Sequence, residues 1–386
     1  MIRIGAMLCV AVLALSTAAA RAQSSFYRAT PAEIAGAPGT LIRQEPMPPT
    51  RSGAAAYRVL YRSTGLSDEP IAVSGVIIVP PGPAPAAGRP IVAWAHPTTG
   101  VAPRCAPSLA LFVFQQIQGL REMTARGFIV AATDYPGLGT PQTHPYLVGA
   151  SEARAVLDSV RVAHAMGGAQ TRFAVWGHSQ GGQAALFTGV LAKSYAPELD
   201  LAGVAAAAPA TELAQLLGDD INSSGGRNLT AMTLWSWSRV FGAPMDSVVD
   251  PAALQTVNVL AGECIESIYD LMLRCRTSQP LEQSFLSVPN FYTIEPWRSL
   301  LASNTPGTLP PQIPLLLAQG GADGLVRPQV TQDYMRRQCA AGGAVRMLVL
   351  PNATHGIIAH DAAASAVAWM ADRFAGSAAP SDCNRD

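Results

Sequence analysis

The stretch FAVWGHSQGGQAAL, residues 173–186, sets Ser179 between Gly177 and Gly181 after an apolar run. A serine hydroxyl attacks a carbonyl only when a base takes its proton. The pattern G-x-S-x-G carries little alone. With glycine at 34 of 386 residues, about 0.2 chance matches are expected, and an ordinary glycine-rich turn reads the same way. Partners must decide. Where a strand turns sharply into a helix through a nucleophilic serine, an acid and then a histidine follow on later loops. Asp323 in LLLAQGGADGLVRP and His355 in LVLPNATHGIIAH stand in that order, each just past a strand-like segment. Asp333 and His360 compete, but periodicity puts both in helices. The N–H of Gln180, next to the nucleophile, is one candidate oxyanion donor. A second is expected in the loop HPTTG, residues 96–100, where Pro97 has no N–H; Thr98 is the choice, with Thr99 behind it. His96 reads as ordering this loop, and His144, His164 and His178 as packing or surface residues.

The surrounding segments supply the positioning elements. Residues 56–63, 71–80, 90–97, 128–139, 172–179, 201–210, 312–320 and 344–353 read as strands. Helical patterns cover 108–127, 151–168, 181–196, 328–341 and 358–375. This alternation predicts an α/β fold with a mostly parallel central sheet, helices on both faces and an antiparallel edge at the first two strands. Ser179 then falls at a strand–helix junction, and Asp323 and His355 at carboxyl ends of strands, the edge where open α/β sheets bind ligands. The catalytic domain is expected over 56–210 and 312–386, preceded by a coreless arm at 23–55. Residues 211–311 break the rhythm and are too long for a bare loop, which predicts an inserted helical cap. Its Leu234, Trp235, Trp237 and Phe241 suit either an acyl chain or the cap's own core.

Composition narrows the function. Lys plus Arg and Asp plus Glu both number 26, so no basic excess favours a nucleic-acid partner. Residues 1–22 combine Arg3, an apolar stretch and an Ala20-Arg21-Ala22 cleavage pattern, which predicts a signal peptide and a secreted or periplasmic protein. In an oxidising compartment Cys105, Cys264, Cys275, Cys339 and Cys383 can pair, and their odd number leaves one thiol over. A Cys339–Cys383 bridge would tie down the tail. The other could be Cys264–Cys275 or either of those with Cys105. None stands in a CxxC pair, so a zinc site is not expected, and the chemistry expected of Ser179, Asp323 and His355 needs no metal or cofactor.

The segments WAHPTTGVAPRCAPS, TDYPGLGTPQTHPYLVG, LDSVRVAHA and GHSQGGQAAL resemble the secretory lipase family of the lipase A type, a branch of the α/β-hydrolases, from about residue 56 to the C-terminus. The resemblance implies a triad of Ser179, Asp323 and His355, a helical cap over the site, the Cys339–Cys383 bridge and a link from Cys105 into the cap. The expectation is a serine carboxylic-ester hydrolase, lipase or esterase, acting on ester or lipid substrates with contact to a lipid interface and no stable protein partner. A serine peptidase on the same fold and a non-catalytic binding protein are the alternatives. No acidic cluster for a peptide amine favours the first.

Overall fold

The computed structural model describes residues 25–384, so the expected signal peptide lies outside the described residues. Nine strands build one sheet: β1 (Leu41–Met47), β2 (Ala55–Thr64), β3 (Pro70–Val79), β4 (Arg89–Ala95), β5 (Ile129–Thr133), β6 (Ala169–His178), β7 (Asp200–Ala207), β8 (Leu315–Gly320) and β9 (Val345–Leu350). Their spatial order is β1-β2-β3-β5-β4-β6-β7-β8-β9. The pairings β1–β2, β2–β3 and β3–β5 are antiparallel, and those from β5 across to β9 are parallel. The central strands are buried on both faces and read as continuous apolar runs, as parallel strands between helices must.

The helices α1 (Gly149–Ala165) and α2 (Gln180–Tyr195) pack on one face. Leu157, Val160, Ala184 and Leu186 from them join Val175 and Leu317 of the sheet in one buried cluster. The segment between β7 and β8 is helical: α3 (Leu213–Asp220), α4 (Ser224–Val240), α5 (Leu254–Ala261), α6 (Ile268–Thr277) and α7 (Trp297–Ser303). After β8 come α8 (Pro328–Ala340) and, on the opposite face of the sheet from α1, α9 (Ile358–Phe374). Val367 and Met370 of α9 share a core with Trp94 and Trp176, and that core continues into Leu234, Trp237 and Trp297 of the β7–β8 segment. Among the described residues no helix is long and apolar enough to cross a membrane.

Two expectations change. The helix expected at 108–127 is broken into a short turn and the helices Val113–Gln116 and Leu120–Ala125. Gly119 between them has φ +81°, and a Cβ there would stand 3.0 Å from Val367 Cγ2, so the chain bends where it meets α9. The arm at 23–55 is no coreless tail. It supplies the edge strand β1, and its Phe26 and Tyr27 are buried against Leu60 and Ala72. Its Ala, Pro and Ser content concealed both, because two aromatic residues suffice to anchor it.

The disulfides are Cys105–Cys264 and Cys339–Cys383, and Cys275 is free and exposed. The first joins the loop after β4 to the helical segment. The second fastens the C-terminal tail to the end of α8.

Candidate active site

The elbow at Ser179 follows from its neighbours. Ser179 has φ +56° and ψ −117°, a conformation that L-residues avoid. Such a turn brings the two flanking glycines into close contact. A Cβ on Gly177 would lie 2.0 Å from the Gly181 carbonyl oxygen, and one on Gly181 would lie 1.9 Å from the Ala95 carbonyl oxygen. Only glycine fits at either place. The elbow therefore projects Ser179 from the end of β6 beside the end of β4, where the strand order reverses.

His355 and Asp323 meet Ser179 at this edge. The Ser179 hydroxyl lies 2.9 Å from His355 Nε2, and His355 Nδ1 lies 2.8 Å from Asp323 Oδ2. A carboxylate at Nδ1 selects the tautomer protonated there, so Nε2 is left to accept the serine proton. Backbone N–H groups of Leu325 and Val326 donate to Asp323 Oδ1 at 2.9 and 2.8 Å. Burial would raise the Asp323 pKa, but its bonds to His355 and these amides outweigh that and hold it below the usual carboxylate value. The competitors stay apart: His360 is exposed beside Asp361, and Asp333 pairs with Arg336 on the surface.

Of the backbone donors at the elbow, the Ser179 N–H is committed to the Ala207 carbonyl at 2.9 Å and has no hydrogen to offer. Gln180 opens α2, where the first N–H groups have no intrahelical acceptor. Thr98 lines the same pocket as Ser179 and Gln180, its hydroxyl 2.9 Å from that of Tyr146. The Tyr135 hydroxyl donates to the His96 carbonyl at 3.2 Å, and the Ile265 N–H donates to the Thr99 carbonyl at 2.7 Å. The loop is thus pinned from the sheet side and from the helical segment. Burial lowers the His96 pKa to about 4, so this histidine stays neutral while it orders the loop.

The pocket beside Ser179 is apolar, walled by Leu147, Leu213, Leu216, Leu217, Leu229 and Leu325. Leu234 and Trp237 are fully buried elsewhere, and Trp237 stacks on Trp297 at 6.5 Å. Leu234 and Trp237 therefore form the core of the helical segment, while Trp235 is half-buried and Phe241 exposed; none of the four lines the pocket, whose wall includes α3 and one turn of α4.

One histidine has a larger part than its sequence suggests. His178, the variable residue before Ser179, is buried; its Nε2 lies 2.9 Å from the His355 carbonyl and its ring centroid 5.0 Å from that of His355. Burial and the neighbouring His355 push its pKa down to about 3, so it donates a neutral N–H to the loop that carries His355. Nothing in a lone G-x-S-x-G signals this, because the contact spans 177 positions.

The family model described as secretory lipase matches residues 112–382, well over half of the chain. The chain belongs to the secretory lipase family. A secreted triacylglycerol lipase, LIP4 of Malassezia globosa, is 27% identical over 353 residues, covering 86% of this secretory lipase and 75% of that protein. A probable inactive lipase of Mycobacterium tuberculosis, MT1628, is 28% identical over 194 residues, 46% of this chain and 43% of that one. The X-ray structure of Candida antarctica lipase A superposes with a TM-score of 0.79 at 20% identity, covering 93% of this chain and 87% of that chain. The fold is that of an α/β-hydrolase.

Proposed function

We propose that this exported carboxylic-ester hydrolase works through Ser179, His355 and Asp323, with Gln180 and Thr98 N–H groups as the oxyanion donors. The observation that carries the reading is the 2.9 Å approach of the Ser179 hydroxyl to His355 Nε2 at a strained elbow. His355 takes the serine proton as Oγ adds to the ester carbonyl, and the carbonyl oxygen becomes an anion held by the two N–H groups. Asp323 holds the imidazole and stabilises its cation. Collapse expels the alcohol, which leaves with the proton from His355. Water then loses a proton to His355, adds to the acyl-enzyme, and the acid departs as Ser179 is restored.

Residues 211–311 act as the cap, with α3 and α4 shaping the leucine-walled pocket for the acyl chain. On α6, Ile268, Tyr269, Leu271 and Met272 are 73%, 73%, 49% and 66% exposed. An apolar face of this kind on a charged helix favours contact with a lipid–water interface. Two disulfides suit a chain led out of the reducing cytoplasm by residues 1–22; the mature N-terminus, sequenced from the exported protein, should fall near Gln23.

Ser179→Ala should lower kcat by about 10⁶-fold, and a fluorophosphonate probe should label the parent protein at Ser179 and leave the variant untouched. Absence of labelling in the folded parent would favour the non-catalytic reading, which the name of the mycobacterial relative keeps in view. Hydrolysis of p-nitrophenyl esters from acetate to palmitate, with and without an oil–water interface, separates lipase from esterase. A steep loss beyond short chains at the interface would leave esterase.

A further inference from the structure

Behind the elbow lies a buried polar cluster that the triad does not use. Glu152 of α1 has no exposed surface, and its Oε1 accepts from the Gln180 side-chain amide at 2.7 Å and from the Leu147 N–H at 3.1 Å. The same amide nitrogen lies 3.2 Å from His144 Nε2, while His144 Nδ1 lies 2.8 Å from the Pro136 carbonyl. That carbonyl can only accept, so His144 donates from Nδ1 and accepts at Nε2. The Gln180 amide is therefore oriented, with nitrogen toward Glu152 and His144. Its oxygen and Glu152 Oε2 make no hydrogen bond among the described residues.

Both partners of Glu152 face the reacting atoms. Gln180 carries the backbone N–H next to the nucleophile. Leu147 has φ +55°, lines the pocket beside Ser179, and its carbonyl accepts from the Gln183 side chain at 3.3 Å. A leucine is not held at a positive φ by its own preference, so these two hydrogen bonds hold it there. The preceding residues tie the same corner to the helical segment: the Tyr146 N–H donates to the Ser236 hydroxyl at 3.1 Å, and Trp237 Nε1 donates to the Tyr146 carbonyl at 2.8 Å.

We propose that Glu152 is a positioning residue that fixes the oxyanion donor Gln180 and the pocket wall at Leu147 through one carboxyl oxygen. The proposal rests on the reading of Gln180 as an oxyanion donor. Burial raises the Glu152 pKa to about 8, which favours the neutral acid below that pH. A glutamine offers the same acceptor oxygen on the same stem and is the conservative replacement, whereas alanine removes the clamp and leaves a void.

The test compares Glu152→Ala, Glu152→Gln, Gln180→Ala and the double variant E152A/Q180A on soluble p-nitrophenyl butyrate. Binding of a trifluoromethyl ketone, whose carbonyl adds Ser179 Oγ to give a tetrahedral adduct, is measured alongside. Glu152→Ala should lower kcat by about 10- to 100-fold, with KM changed less than about 2-fold. Ketone affinity should fall by the same factor as kcat/KM, since both report hold on the oxyanion. Glu152→Gln should stay within about 3-fold of the parent, and Gln180→Ala, which loses the anchored amide, should match Glu152→Ala, with little further loss in the double variant. An unchanged kcat in a folded Glu152→Ala, with only a lower Tm, would overturn the proposal. Should that variant not fold, an unimpaired Gln180→Ala or a Glu152→Gln as inactive as the alanine series predicts would overturn it instead. Ser179→Ala run in parallel tests the nucleophile on which the oxyanion reading itself depends: full turnover there would remove the proposed function, whereas loss there with unimpaired Glu152 variants would sink this inference alone.

Discussion

The elbow around Ser179 and helix α6 lie at opposite ends of the packing range. Around Ser179 the backbone is so close that Gly177 and Gly181 could not carry a Cβ, and His178 and Gln180 are locked in buried hydrogen bonds. On α6 the large apolar side chains of Ile268, Tyr269, Leu271, Met272 and Leu273 meet water, and Cys275 is a free exposed thiol. Preorganised donors gain their advantage from not moving as charge develops, so the proposed chemistry sits where the packing is tightest. Substrate arrival asks the reverse, an apolar surface that is not yet satisfied. The Cys105–Cys264 bridge and the Ile265-to-Thr99 hydrogen bond join the two regimes, fastening the loop after β4 to the stretch that leads into α6.

The contrast breaks first at the elbow. Gly181→Ala should cost more than about 4 kcal/mol, because the new methyl meets the Ala95 backbone rather than a side chain that can turn aside. Folded yield and Tm measure it. A variant that folds with near-parental Tm would show that the elbow gives way, and the rigid half of the comparison would fall. Next in size is the bridge. Paired Cys105→Ser and Cys264→Ser closes no loop across a sequence separation of 159 and should lose about 2–4 kcal/mol by chemical denaturation. If kcat falls on a soluble ester while Tm holds, the bridge serves the oxyanion loop more than the fold.

A smaller effect tests the buried histidine. His178→Gln should cost about 1 kcal/mol at pH 8 through the lost bond to the His355 carbonyl. The sign with pH follows from the lowered pKa: the folded protein keeps His178 neutral down to about 3, while the unfolded chain protonates it below its ordinary value near 6.5. The parent's stability from this group is therefore complete above 6.5 and declines as pH falls toward 3. The glutamine variant escapes that decline, so the gap between the two proteins should narrow below pH 6.5. A gap independent of pH would mean that His178 titrates in the folded state much as it does unfolded.

These contacts also mark what the sequence could reveal. That Ser179, Asp323 and His355 meet was legible because the residue types follow chain order and strand ends, both local signals. The sheet was legible because parallel strands buried on both faces read as apolar runs. Glu152 and His178 were not, since their meaning lies in partners far along the chain and burial is invisible in a helix pattern or a motif's variable position. The break at Gly119 was hidden for the same reason: only the approach of α9 makes a left-handed glycine preferable to one long helix. The arm was underestimated because Phe26 and Tyr27 carry its attachment amid Ala, Pro and Ser.

The smallest stability effect belongs to α6, and it sharpens the comparison most. Exchanging Ile268 and Met272 for serine removes apolar surface that water already touches, so unfolding free energy should change by less than about 0.5 kcal/mol. Turnover of a soluble short-chain ester should stay at the parental level, since neither side chain lines the pocket at Ser179. Adsorption to an oil–water interface should nevertheless fall, and with it the rate on emulsified long-chain ester, because each exposed aliphatic chain contributes about 1.5 kcal/mol or more when it leaves water. Equal losses on soluble and emulsified substrate would instead tie α6 to the chemistry and erase the division between the two regions. A selective loss on the emulsion would place substrate capture in the loosely packed half and bond cleavage in the rigid one.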